Sequence, residues 1–390
     1  MPHLKVKPFD SSDIASSVGK SAMMTLHAKS LSSTDEIIGV EHGGEEFLLQ
    51  LKPDTKATLL KYDKVSRPLK VNLLKEALAT VSEELGLEVL SSNIAISNTK
   101  QALSSEYFKK IEDFENINFP KDKVSVEVGF GSGRHLLYQA QKNPDILFIG
   151  LEIHTPSAQQ VLKQIALQNI SNIWVVNYDA RLFLEMLPSN ICETIFVHFP
   201  VPWDKKPHRR VISTSFLQES MRVLGVSGRL ELRTDSDKYF WYALETFFAV
   251  AKIEVEIRKN EALEVTSKYE ARWIRQEKDI YDVYVKSKKK SEEQKVVLDF
   301  NFNIVKYRNG LETKLNKEAL VFDGYFVHFE RLYKTEDEQL LIKCAFGSFD
   351  RPEHKYIILD KKTCRYFVSS PVRTKVNHQA HQKIMELLNV

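Results

Sequence analysis

The chain has 390 residues, enough for two or three domains, and its 55 Lys and Arg against 52 Asp and Glu neither require nor exclude a nucleic-acid partner. Residues 1–120 carry 14 basic against 17 acidic side chains and residues 121–290 carry 25 against 21, so the basic excess falls in the middle of the chain and beyond. Cys192, Cys344 and Cys364 are widely spaced and form no C-x-x-C pair, so neither a disulfide framework nor a zinc site is indicated; no metal is expected, and a reducing cytoplasm is. No apolar run approaches the roughly 20 residues of a membrane span and the N-terminus is too polar for a signal peptide, so a soluble protein with no membrane partner is expected.

Residues 1–120 mix short strand-like runs, such as Glu46 to Leu51, with a helix around Leu73 to Leu85 whose apolar positions recur at three and four and which Gly86 ends. Residues 91–120 are rich in Ser and Asn and read as a linker with one amphipathic helix. From 121 the pattern alternates: strands over 124–128, 146–151, 172–177, 194–199 and 228–233, with helices from 133 and over 157–168, 180–187, 213–224 and 236–250. That order predicts an α/β fold with a doubly wound, mostly parallel sheet. Lys252 to Arg258 and Ile280 to Lys286 would add an antiparallel pair at its far edge. Lys286 to Ser291 reads as a solvated linker, with a phosphate-binding strip as the alternative. Aromatic and β-branched runs over 320–333, 340–349, 356–359 and 365–369, then a helix from Asn377, predict a small β-rich domain over 291–390. Its Lys355-Tyr356 and Cys364 to Phe367 are either core or base-stacking residues. The division expected is 1–120 as a mixed accessory region and linker, 121–290 as the catalytic domain, and 291–390 as a β-rich accessory domain.

Within the middle segment, Val124-Ser-Val-Glu-Val-Gly-Phe-Gly-Ser-Gly-Arg134 reads as a buried strand, a glycine turn and a helix start, the geometry of a nucleotide pocket. A dinucleotide fingerprint needs G-x-G-x-x-G; here Gly129, Gly131 and Gly133 are evenly spaced, and Glu127 precedes them. A carboxylate there suits the cationic amino-acid end of S-adenosylmethionine better than an anionic pyrophosphate. Glu152, closing the second strand, is placed to accept from ribose hydroxyls. Asp179, after the third strand, either accepts from an adenine amine or caps the next helix. This cofactor reading, together with the antiparallel edge pair, gives the fold class: a class I S-adenosylmethionine-dependent methyltransferase sheet with a mixed N-terminal extension and a small β-rich C-terminal domain.

After the fourth strand come His198-Phe-Pro-Val-Pro-Trp203 and Asp204-Lys-Lys-Pro-His-Arg-Arg210. Prolines stiffen the loop, Trp203 offers a stacking face, and Lys205, Arg209 and Arg210 can neutralise phosphates beside a base held out of its stack.

These motifs, with Arg233-Thr-Asp235 and Ser267-Lys-Tyr-Glu270, resemble the bacterial tRNA (guanine-N7)-methyltransferases over about residues 121–286. The resemblance implies methyl transfer from S-adenosylmethionine to N7 of guanosine-46 in the tRNA variable loop. It implies that Glu127, Glu152 and Asp179 hold the cofactor and that Lys205, Asp235 and Ser267 to Glu270 hold the guanine nucleotide. The family usually has Asp between the two prolines, where this chain has Val201. Either Asp204 or Asp235 replaces that contact, or the protein binds tRNA without turnover; an NAD-dependent oxidoreductase is the third reading. Asp235, after the fifth strand, is the first choice for orienting the guanine edge, and Glu270 the second. The regions before 121 and after 290 resemble no known family, and the oligomeric state is left open, with a monomer favoured.

Overall fold

The computed structural model describes residues 2–389 except 67–70, 96–104, 116, 250–252, 266–269, 271–275, 294–297, 304–309, 316, 317 and 350. The chain divides into two units: Met1–Gln101 with Leu298–Pro371 and Lys375–Val390, and Ala102–Val297 with Val372–Thr374.

The N-terminal part of the first unit contributes β1 (His3–Val6), α1 (Ile14–Val18), β2 (Met24–Ser30), β3 (Glu36–His42), β4 (Glu45–Lys52), β5 (Thr58–Tyr62), α2 (Val71–Glu84) and β6 (Val89–Ser92). The apolar stripe of α2, Leu73, Leu74, Ala77, Leu78 and Val81, packs on Val40, Leu49 and Leu60. Each such side chain, fully buried, contributes about 1.5–3 kcal/mol.

The second unit holds β7 (Phe108–Lys109), β8 (Lys123–Val128), α3 (Arg134–Lys142), β9 (Ile146–Leu151), α4 (Thr155–Gln168), β10 (Ile173–Val176), α5 (Ala180–Phe183), β11 (Cys192–His198), α6 (Thr214–Val223), β12 (Leu224–Thr234), α7 (Asp237–Phe248), β13 (Glu254–Lys259) and β14 (Tyr281–Lys286). Its strand order is β13-β14-β12-β11-β8-β9-β10-β7, parallel from β12 to β7, with β14 antiparallel to both β12 and β13. The order has the doubly wound parallel sheet and antiparallel edge pair expected from the sequence, with one added parallel edge strand. On one face Val124, Val126, Ile149, Ile195, Val197, Leu230 and Leu232 pack with Phe183, Phe216, Tyr239 and Phe247. The alternate residues of the central strands, Glu127, His198, Arg229, Glu231 and Arg233, lie on the other face. Ser213 and Ser236 cap α6 and α7, accepting from Phe216 N and Tyr239 N at 3.2 Å each.

Three expectations change here. The helix over 180–187 shortens to α5, followed by a 3-10 turn at Leu184–Met186. In 91–120 the described residues form β6, β7 and a 3-10 turn, Ile111–Glu115, so the segment is more than a linker; the expected amphipathic helix is not tested, since 96–104 and 116 lie outside the described residues. Phe114 of that turn meets the Trp174 and Phe183 rings edge-on at 6.1 and 4.8 Å, which draws the segment into the second unit. Residues 286–291 are not a free linker: Ser287 N donates to Gly228 O at 2.8 Å and Ser291 N to Asn190 Oδ1 at 2.7 Å.

The C-terminal segment forms β15 (Leu320–Val321), β16 (Phe326–Thr335), β17 (Leu340–Gly347), β18 (Pro352–Leu359), β19 (Cys364–Phe367) and a terminal helix, Lys375–Leu388. It is not a separate domain. β16 pairs with β2, Tyr333 opposite Ser30, so its strands continue the N-terminal sheet, β19-β18-β17-β16-β2-β3-β4-β5-β1-β6. Tyr356 is buried and donates to Asp63 Oδ2 at 3.0 Å, which makes it a core residue rather than a stacking platform. Among the described residues no helix is long and apolar enough to cross a membrane, and no group of three or more His, Cys, Asp or Glu is placed to hold a metal ion.

Candidate active site

The carboxyl edge of the parallel strands gathers Glu127, Glu152, Asp179, the loop after β11 and Asp235. Gly133 caps α3 with φ +71°, and a Cβ there would stand 2.2 Å from Val161 Cγ2 of α4, so the start of α3 and α4 approach only around a glycine. Gly129, also at positive φ, is different: a Cβ would meet nothing within 4 Å, leaving an open side for a ligand. Gly131 shares the left-handed conformation, and its N–H donates to Glu152 Oε2 at 2.9 Å. Glu152 Oε1 accepts from His154 N at 2.8 Å, so this buried acid laces the glycine turn to the end of β9. Asp179 caps α5 through Arg181 N at 3.0 Å and pairs with the Arg181 guanidinium at 2.7 Å. The cap reading of Asp179 is thus present, and any adenine contact must share the carboxylate with Arg181.

Glu127 is buried and its Oε2 lies 2.9 Å from His135 Nδ1. Beside it His198 Nε2 is 3.1 Å from Glu231 Oε1, and the two imidazoles are 4.6 Å apart. Burial pushes the Glu231 carboxyl upward, but the His198 hydrogen bond and charge, with Arg229, hold it below its ordinary value. A cavity of about 670 Å³ opens against His135 and Glu231, walled in part by Tyr138, Lys142, Glu261 and Tyr284. None of the three turn glycines lines it, so it is distinct from the crevice at the strand ends.

The loop after β11 turns at Phe199 and Trp203, with φ +50° and +44°. Val201 and Trp203 are exposed, as are Lys205, Lys206 and Arg209, and the Arg209 guanidinium lies 5.2 Å from the Trp203 ring centre. Arg210 departs from expectation. It is buried, donates from Nε to Pro202 O at 2.8 Å, and stacks 4.2 Å from the Tyr242 ring centre, so it fastens the loop to α7 instead of facing a phosphate. Asp204 stands 3.6 Å from Arg210.

Asp235 follows β12, half-buried, 3.0 Å from Lys278 Nζ. Glu270 is buried and bound to Arg233 Nη2 at 2.6 Å, while Arg233 also pairs with Asp282 and donates to Glu261 O at 2.8 Å. Burial disfavours the Arg233 cation, but Asp282 and Glu270 outweigh it and raise its pKa. Glu270 is therefore committed to Arg233, and Ser267 lies outside the described residues.

A family model described as "Putative methyltransferase" matches residues 121–283. A tRNA (guanine-N(7)-)-methyltransferase of Wolinella succinogenes is 42% identical over 358 residues, covering 91% of this chain and 91% of its own. Proteins of the same name from Campylobacter jejuni and Helicobacter pylori are 40% and 39% identical, covering 89% and 88% of this chain and 88% and 87% of theirs. The chain belongs to the tRNA (guanine-N7)-methyltransferase family. These family members match well beyond 121–286, so most of the sequence in the flanking regions is shared with them.

Within this family member, sequence reasoning passed over His135, His198, Glu231 and the anchoring role of Arg233. A signal was present: Ser125 and Glu127, His198, and Arg229, Glu231 and Arg233 fall at period two among apolar residues, which places them on one face of the sheet.

Proposed function

We infer that this chain transfers a methyl group from S-adenosylmethionine to N7 of guanine in tRNA, at guanosine-46 of the variable loop. The observation that carries the reading is 42% identity over nine-tenths of the chain to a protein of that name. The crevice fits the cofactor. It combines an open glycine turn at Gly129 with two buried acids, Glu127 for an ammonium group and Glu152 for ribose hydroxyls, on adjacent strands. Bound there, S-adenosylmethionine supplies an electrophilic methyl group on a sulfonium centre.

N7 of guanine carries an exposed lone pair and needs no general base, so the protein's work is to orient the nucleophile. Asp235 accepts from the guanine edge after exchanging Lys278, and its charge favours the positive charge that develops on the ring. Trp203 offers a stacking face, while Lys205 and Arg209 meet the flanking phosphates. Glu270 acts through Arg233 by fixing the segment after β13. Val201 is 61% exposed and Asp204 leans toward Arg210, which leaves Asp235 as the replacement for the family's aspartate.

The test is incubation with unmodified tRNA and methyl-labelled S-adenosylmethionine, followed by chain cleavage at N7-methylguanine. A single cleavage at position 46 is expected, lost in Asp235→Asn. Tight tRNA binding with no transfer would replace this reading by that of a binding protein.

A further inference from the structure

The acid that the proposed function gives to the cofactor's ammonium group is already in contact with an imidazole. His135, on the first turn of α3, lies with Nδ1 2.9 Å from Glu127 Oε2, and its Nε2 faces the Gln139 side-chain amide at 3.1 Å, whose nitrogen donates to the neutral ring and whose oxygen, with the amide turned over, accepts from the protonated one. Its ring lies tilted against that of His198, their centres 4.6 Å apart. Three carboxylates act on it: Glu127 of β8, Glu231 of β12 and Glu270 after β13. Arg229 pairs with Glu231 at 3.2 Å, and Tyr138 and Lys142 of its own helix share the cavity that His135 lines. Burial opposes the charged imidazole, but Glu127, then Glu231 and Glu270, outweigh it and raise the His135 pKa.

The arriving ammonium would be a second cation on one buried carboxylate. Like charges at that range in a partly buried site repel strongly, and imidazolium is the one of the two that sheds its charge most readily near neutrality. We propose that His135 is a positioning residue for Glu127: protonated, it holds the carboxylate in the free protein, and it releases one proton to solvent when the cofactor's ammonium takes its place. The N–H bond broken is that of the imidazolium, the proton goes to water through the adjoining cavity, and the cofactor's ammonium keeps its own protons. The proposal rests on the reading of Glu127 as the ammonium's partner.

Linkage fixes the sign. Binding that lowers a histidine pKa tightens as pH rises, by up to tenfold per unit between the bound and free pKa values, and levels off above the free one. S-adenosylmethionine affinity of the full chain is measured by calorimetry from pH 5.5 to 7.5, about the upper limit before the cofactor's α-amino group itself titrates. The wild type is expected to tighten with pH. At a pH inside the window, two buffers of different ionisation enthalpy should report release approaching one proton. His135→Gln, which keeps a donor but cannot titrate, is expected to bind with no pH slope, and His198→Gln to retain the slope. A wild type that releases no proton overturns the proposal, whether or not the variants fold; so does a slope lost in His198→Gln and kept in His135→Gln. Glu127→Gln reads the underlying assignment separately. If it binds cofactor as well as wild type, the ammonium site lies elsewhere; if it binds weakly while wild type shows no proton release, only the linkage fails.

Discussion

Arg210→Ala separates the two roles an arginine can play in a basic loop. In the structure its Nε–H meets Pro202 O at 2.8 Å and its guanidinium lies over Tyr242 at 4.2 Å, all buried. A charged hydrogen bond of this kind contributes about 1.5–3 kcal/mol and a desolvated cation–π contact about 0.5–2 kcal/mol. Removing both should cost about 3 kcal/mol. For a unit of about 200 residues, that lowers the melting temperature by about 6–12 °C. Differential scanning fluorimetry supplies that readout, and filter binding across a salt series supplies the second. The slope of log affinity against log salt should match wild type, because a buried guanidinium releases no counterions from RNA. An Arg210→Ala variant that melts with wild type but loses about one slope unit would refute the packing role.

Lys205→Ala and Arg209→Ala should behave in the opposite way, keeping the melting temperature and each losing somewhat under one unit of salt slope. Glu152→Ala should weaken S-adenosylmethionine binding by about 1.5–3 kcal/mol, ten- to a hundredfold by calorimetry, with tRNA affinity unchanged. Val201→Asp should leave turnover level, since the exposed position adds a solvated charge and Asp235 already serves the guanine; a tenfold gain in single-turnover rate would show that the loop had lost a needed contact. Asp235→Asn should abolish transfer in a folded protein, whereas Glu270→Gln should lower the melting temperature first.

The parallel core of the second unit was legible because its strands and most of its helices announce themselves locally. β8, β9 and β10 are short apolar runs, their helices carry three-and-four stripes, and the turn glycines fall where only glycine tolerates the backbone. The first unit was not, because its defining contact joins Ser30 to Tyr333 across some three hundred residues, and no local period encodes a partner that distant. Arg210 was misjudged for a similar reason. Its neighbours Lys205, Lys206 and Arg209 are solvated, and nothing in the run marks which guanidinium will find Tyr239 and Tyr242 three elements later.

The two acids proposed for the guanine edge are distinguished by what each must give up. Asp235 meets Lys278 at 3.0 Å, with the lysine 47% exposed, and an ion pair that open contributes at most about 1 kcal/mol. Hydrogen bonds from the guanine edge to a carboxylate are worth about 1.5–3 kcal/mol each, so an incoming base can displace the lysine. Glu270 is different: it and Arg233 are both almost fully buried and joined at 2.6 Å, and although Asp282 would stay on the guanidinium, drawing Glu270 away gives up a charged hydrogen bond in a dry interior, about 1.5–3 kcal/mol, as much as one contact to a base returns. Substrate can therefore recruit Asp235 at little cost, while Glu270 stays on Arg233.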